Sequence, residues 1–165
     1  MSREIAVRPL AREAFAPFGQ VLEARGAPTK LINAGLCGRH HDLARPDVEG
    51  VVGISVFDAT PRALPYALAM VERHPLGSQA FVPMHSRPWL VIVAPDRGGA
   101  PDRPLAFLAG PGQGVQLARG TWHGVLTPLH APGLFAVIDR IGAPDAGPAD
   151  NLEEHWFAEP WQVVG

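Results

Sequence analysis

Cysteine is almost missing from this chain: Cys37 is the only one in 165 residues. No intrachain disulfide can form, so packing and hydrogen bonds must hold the fold, and a reducing, cytoplasmic setting is expected. Charge is also sparse, at 18% of residues, and the net charge of −2 leaves no basic excess. That balance excludes nucleic acid as the main partner. No stretch approaches the roughly 20 apolar residues of a membrane helix, and no membrane partner is expected. The opening Met1-Ser2-Arg3-Glu4 lacks the apolar core of a signal peptide. There is no Walker loop, no dinucleotide-binding glycine fingerprint, no Gly-x-Ser-x-Gly elbow and no His-Glu-x-x-His pair. No organic cofactor is expected.

Turn formers, by contrast, are plentiful, with 18 prolines and 18 glycines. They punctuate short apolar runs, as turns do in an all-β protein. One short helix is expected over residues 10–15, stopped by Pro17 and Gly19. Strands are expected over residues 20–24, 51–59, 66–74, 79–84, 89–94, 105–109, 115–117, 122–126 and 134–140. The run 89–94 is apolar on both faces, which predicts a central strand. Segments 96–103 and 142–150 read as surface loops, and the aromatic weight of 151–157 predicts a docked C-terminus. The spacing predicts one domain over residues 1–165, mainly β, built as a sandwich or barrel.

The most informative segment is Glu72-Arg73-His74-Pro75-Leu76-Gly77-Ser78-Gln79-Ala80-Phe81. Glu72 and His74 are two apart, so a strand projects them from one face. Pro75 and Gly77 then break the strand, and Gln79 opens the next. Gly120-Thr121-Trp122-His123-Gly124 is a second turn that ends in a histidine. Polar groups that converge within apolar structure are costly unless they bind something. Two histidines from separate hairpins, beside a carboxylate and an amide, suit a metal or a polarised substrate. For each histidine alone, a local backbone hydrogen bond is the plainer account. Asn33 reads first as a turn residue. Arg119 and Arg140 flank strand ends, and either fork can grip a carboxylate. Trp122 reads as pocket wall or core. Arg39-His40-His41-Asp42 is polar, but adjacent histidines on a strand cannot face one site.

These segments resemble the ureidoglycolate lyase family, formerly ureidoglycolate hydrolase, of the cupin barrels. The likeness runs nearly end to end. It covers Arg8-Pro9-Leu10 with residues 13–19, Ile32-Asn33, residues 41–44, residues 72–81, 90–95, 112–115 and 119–123, and Asp139-Arg140. The resemblance implies a cupin-like β-barrel or jelly roll with a short N-terminal helix, and a homodimer. It implies cleavage of (S)-ureidoglycolate to glyoxylate and urea, a step of allantoin breakdown. It places Glu72, His74 and Gln79 at the first metal-motif positions and His123 at the second. Catalytic roles are expected for His74, His123, Glu72 and Gln79. Asn33, Arg119 and Trp122 are expected to bind substrate. A divalent metal is expected on His74, Gln79 and His123, with Glu72 as base or further ligand. Glutamine in place of the usual cupin glutamate makes that site less anionic.

The chain departs from the family pattern at three places. Gln116-Leu117-Ala118 precedes Arg119, Asn33-Ala34-Gly35 replaces Asn-Gly-Gly, and Gly124 stands where a second histidine is usual. If that histidine moved protons or shaped the pocket, lyase activity would suffer. Two rival readings follow: another metal-dependent cupin enzyme, an isomerase or oxygenase, or a cupin that binds a small hydroxy or keto acid without turnover.

Overall fold

The computed structural model describes residues 3–142 and 150–165. The chain opens with β1 (Glu4–Pro9), α1 (Arg12–Phe15), β2 (Gly19–Leu22), β3 (Lys30–Ile32) and β4 (Cys37–Arg39). β5 (Val51–Asp58), β6 (Tyr66–Arg73), β7 (Gln79–Pro83) and β8 (Trp89–Ala94) follow. Next come β9 (Asp96–Arg97), β10 (Ala100–Pro101), β11 (Leu105–Ala109), β12 (Gly114–Leu117), β13 (Trp122–His123) and β14 (Thr127–Pro128). β15 (Leu134–Ile141) and β16 (Glu153–Val164) complete the chain.

Six strands close into a barrel in the order β11-β1-β16-β6-β13-β8, and β8 pairs back to β11. β1 runs parallel to both its neighbours, and the other barrel pairs are antiparallel. A second sheet, β2-β12-β7-β15-β5, is antiparallel throughout. The fold is therefore mainly β with a closed barrel, in line with the cupin-like expectation.

Strand alternation builds two apolar layers from these sheets. Ile5, Leu68, Leu90, Ile92, Ala106, Trp122 and Val163 come from all six barrel strands and fill the barrel. Trp89, Val91, Val93 and Phe107 point the other way, onto Val21, Phe81, Val115, Leu117, Phe135 and Val137 of the second sheet. This is why β8 is buried at every residue: one face fills the barrel and the other packs between the sheets. Phe15 of α1 seals the same layer, edge-on to Phe107 with centroids 5.8 Å apart. Burial of each such side chain contributes about 1.5–3 kcal/mol. The layer also sets backbone limits. A Cβ on Gly133 would lie 1.8 Å from the Ala59 carbonyl oxygen, so only glycine lets these strands approach.

Several elements differ from the sequence expectation. The helix starts at Arg12, because Leu10 is buried in the core and Ala11 is extended. Of segment 122–126 only Trp122–His123 is strand, as β13, because the chain leaves β6 after His123; β14 resumes pairing with β8 at Thr127. Segment 96–103 is not a bare loop: Gly98 and Gly99, at φ 62° and 91°, turn β9 into β10. The docked C-terminus is a barrel strand, β16, with a register shift between Trp156 and Trp161. β1 and the β3–β4 hairpin were not anticipated. Of the loop expected over 142–150, residues 143–149 lie outside the described residues.

A carboxylate and two histidines at the mouth of the inter-sheet layer

β6 and β13 are antiparallel neighbours, and Glu72 sits directly opposite His123. Their side chains therefore share one face of the barrel wall. Trp122 is one residue from His123 and must face the other way; it is buried in the barrel. His74 follows the end of β6, in the turn that Pro75 and Gly77 impose. Its ring lies against that of His123, with centroids 5.2 Å apart and planes at 41°. Gln79 begins β7 in the second sheet, and Asp139 is its neighbour on β15. The cluster thus joins the barrel wall to the second sheet.

Hydrogen bonding fixes how each group presents itself. His74 Nδ1 donates to the Asn151 carbonyl at 2.8 Å, and His123 Nδ1 donates to the Gly124 carbonyl at 2.9 Å. A carbonyl cannot donate, so each Nδ1 must carry the proton and each Nε2 must offer a lone pair. Neither Nε2 has a hydrogen-bond partner among the described residues, although both are buried. Gln79 Nε2 donates to Asp139 at 3.0 Å, which turns Oε1 away from Asp139, and Oε1 is also buried and without a partner among the described residues. Three orphaned buried acceptors in one cluster are costly, of the order of 1–3 kcal/mol each. They mark a place where something binds.

Electrostatics point the same way. Burial, assisted by the neighbouring His74, pushes the His123 pKa down to about 3, against a smaller opposing pull from its bond to Gly124. His123 is therefore a neutral ligand-type imidazole at physiological pH. Burial, assisted by Glu154 across the strand pair, raises the Glu72 pKa, and His74 partly offsets this. Glu72 Oε1 is 3.9 Å from His74 Nε2, too far for a hydrogen bond. The ligand atoms of Glu72, His74 and His123 lie within 4.8 Å of one another, the one such trio among the described residues. The donor set of one carboxylate and two neutral imidazoles fits a divalent transition metal. The open amide oxygen of Gln79 is a fourth donor on the same cleft.

That cleft has a volume of about 360 Å³ and is lined by Phe57, Glu72, His74, Gln79, Asp139 and Arg140, among others. A larger hollow of about 710 Å³ beside Trp161 has no such trio, so chemistry rather than size selects the site.

The structure brings together Glu72, His74, Gln79 and His123 but not the other three sequence candidates. Asn33 is exposed in the β3–β4 turn with φ 53°. Trp122 is core, donates to Asp96 at 2.9 Å, and borders a different cleft. Arg119 donates through Nε to the Pro75 carbonyl at 2.6 Å and pairs with Glu49, outside the residues that line the histidine cleft. Sequence reasoning assigned no part to Asp139 and Asn151. The Asp139-Arg140 pair at the end of a predicted strand was the only available sign. Gly124 faces the barrel interior, where a Cβ would press on Ile92 at 3.2 Å and Leu68 at 3.4 Å. A histidine side chain there would point away from His123, so its absence leaves the cleft intact.

Comparison with known proteins agrees with this geometry. A family model described as ureidoglycolate lyase matches residues 2–164. A protein of Rhodobacter capsulatus named "Ureidoglycolate lyase" is 56% identical over 163 residues, 98% of each chain. "Ureidoglycolate lyase 2" of Rhizobium meliloti is 51% identical over 162 residues, 96% of each chain. "Ureidoglycolate lyase" of Chelativorans sp. is 49% identical over 164 residues, 98% of this chain and 96% of that one. Identity of this degree across whole chains does not favour the isomerase, oxygenase or binding-only readings. The chain belongs to the ureidoglycolate lyase family.

Proposed function

We propose that this protein is a lyase that cleaves (S)-ureidoglycolate to glyoxylate and urea within allantoin catabolism. The observation that carries the reading is the pair of orphaned, proton-free Nε2 atoms of His74 and His123 beside the Glu72 carboxylate.

The reaction is a retro-addition. The substrate hydroxyl loses its proton, its electron pair forms the carbonyl, the carbon–nitrogen bond breaks, and the departing nitrogen takes a proton to become urea. No water is consumed. One base that takes the first proton and returns it to nitrogen is sufficient. Glu72 suits this task, because its raised pKa moves it toward the working pH. His74 and His123 can accept through Nε2 from the ureido N–H groups, which leaves the single hydroxyl proton to Glu72. Gln79 Oε1, held by Asp139, is an acceptor for a cation or for a ureido N–H. Phe57 borders the cleft. Glu72, His74 and His123, with Gln79, would hold a divalent cation, which when bound would acidify the hydroxyl and grip the hydroxy acid.

We further propose one cupin-like domain over residues 1–165, a cytoplasmic location in keeping with the free thiol Cys37, and a homodimer. Support for the dimer comes from the second sheet. Val52, Ile54 and Val56 share one face of its edge strand β5, and Val82 joins them across β15; all four are exposed. Such a patch is characteristic of an interface.

The test is to supply racemic ureidoglycolate with and without prior chelation and to follow glyoxylate, urea and ammonia. Equal glyoxylate and urea without ammonia is the expected result, with activity lost on chelation and restored by a divalent cation. Ammonia release, or no glyoxylate under any metal supplement, would overturn the reading.

A further inference from the structure

A substrate carboxylate entering the histidine cleft meets a difficult field. Glu72, Asp139 and Asp150 all line the cleft, so the local acid content repels an anion. Among the described lining residues, one side chain is permanently cationic: Arg140. Its position is fixed on two sides. Nε donates to the Glu49 carbonyl at 2.7 Å, and Nη1 donates to Asp150 Oδ2 at 3.1 Å. Its Cβ is packed at 3.2 Å from where a Cβ on Gly77 would lie, so the turn glycine makes room for it. The side chain is only 16% exposed, yet Nη2 has no hydrogen-bond partner among the described residues. The result is a pre-set guanidinium with an open donor edge on the same cleft as Glu72, His74 and Gln79.

We propose that Arg140, rather than Arg119, receives the carboxylate of the 2-hydroxy acid. The inference rests on the lyase reading and names how that site recognises its substrate. Residue chemistry gave both arginines a strand-end position, and the family resemblance pointed to Arg119. The structure separates them by place: each has Nε on a backbone carbonyl and one Nη on a carboxylate, but Arg140 lines the cleft of Glu72 and His74 and Arg119 lies outside it. Arg140 anchors the acid end while Glu72 faces the hydroxyl and the histidines face the ureido group, so one contact sets both affinity and orientation. Asp150 tunes it. Its carboxylate pairs with the same guanidinium and reduces the charge available to the ligand.

The experiment measures carboxylate affinity separately from turnover. Glyoxylate is titrated calorimetrically into the full-length protein and into Arg140→Gln, and KM and kcat are measured with ureidoglycolate and with its uncharged methyl ester. Loss of a charge-assisted contact predicts glyoxylate affinity and KM weakened by about 30-fold, with a much smaller change in kcat. The ester should not distinguish the two proteins. Glyoxylate affinity within about threefold of wild type in Arg140→Gln, or no glyoxylate binding by wild type, would overturn the proposal. Failure of the lyase reading looks different: wild type would bind glyoxylate but not cleave ureidoglycolate. If Arg140→Gln does not fold, Asp150→Asn decides the matter. It should tighten glyoxylate binding several-fold, and unchanged or weaker binding refutes the assignment.

Discussion

His123 makes the metal-free protein sensitive to acid in a way that can be worked out in advance. Its ring is fully buried, and its pKa falls from 6.5 to about 3, first through desolvation and then through His74. The unfolded chain therefore takes a proton near pH 6.5, while the folded chain refuses it until about pH 3. Between those values unfolding binds a proton, so stability must fall as the pH falls. The His123 contribution is fully present above pH 6.5 and declines at about 1.4 kcal/mol per pH unit below it. Glu72 acts in the opposite sense. Its raised pKa lets the folded state hold a proton that the unfolded chain has released, so acidification through that range adds stability. The perturbation that isolates His123 is His123→Asn, whose amide can still donate to the Gly124 carbonyl. Urea unfolding in the presence of a chelator, repeated from pH 4 to 7.5, gives stability against pH for both proteins. The wild-type curve should fall more steeply below pH 6.5, by roughly one proton's worth of slope. Parallel curves would refute the account of His123 as a buried neutral imidazole. Adding a divalent cation should raise wild-type stability and leave His123→Asn little changed.

His74→Ala should lower kcat/KM by at least about 100-fold and leave a folded protein by circular dichroism; near-normal turnover would remove His74 from the mechanism. Gln79→Glu should weaken turnover because it sets a second carboxylate against Asp139, and adding Asp139→Asn should recover much of the loss; additive effects would sink the idea of a coupled pair. Ile54→Glu, at a position 78% exposed on β5, should halve the mass seen by light scattering with the fold intact, and an unchanged mass would exclude this face as the dimer interface. Gly133→Ala should destabilise the protein by more than about 3 kcal/mol in urea unfolding, because the Ala59 carbonyl must move.

Much of the barrel was readable from local pattern. Segments 89–94 and 105–109 match β8 and β11 to the residue, because long apolar runs bounded by proline or glycine leave little choice. β1 was not readable for the converse reason. Glu4-Ile5-Ala6-Val7-Arg8-Pro9 is short and half polar, and it becomes a strand through parallel pairing with β11 and β16 from the far end of the chain. β16 carries Pro160 and a register shift, both of which break the alternation that marks a strand. The site shows the same division. Glu72, His74, Gln79 and His123 stand beside turns that announce themselves. Asp139 and Asn151 are 60 and 77 residues from the side chains they orient, and nothing local links them. The pairing of Arg119 was not legible, because a strand-end arginine gives no hint of its partner, and here Glu49 is that partner.

The amide at position 79 follows from its neighbours. A side chain there must donate to Asp139 and, from the same terminus, accept from whatever fills the cleft. Glutamate has no proton to give at neutral pH, so it would leave two carboxylates face to face, and one of them would be forced to protonate. Glutamine does both tasks without charge. The histidines obey the same logic: each spends its single proton on a backbone carbonyl and leaves a lone pair in the cluster with Glu72. The cluster thus presents acceptors only, with Glu72 as the one formal charge among its four side chains. A divalent cation bound there would keep a net charge of about +1 and could still attract a monoanionic hydroxy acid. With a second carboxylate at position 79 that residual charge would vanish, and the pull on the substrate would rest on Arg140 alone.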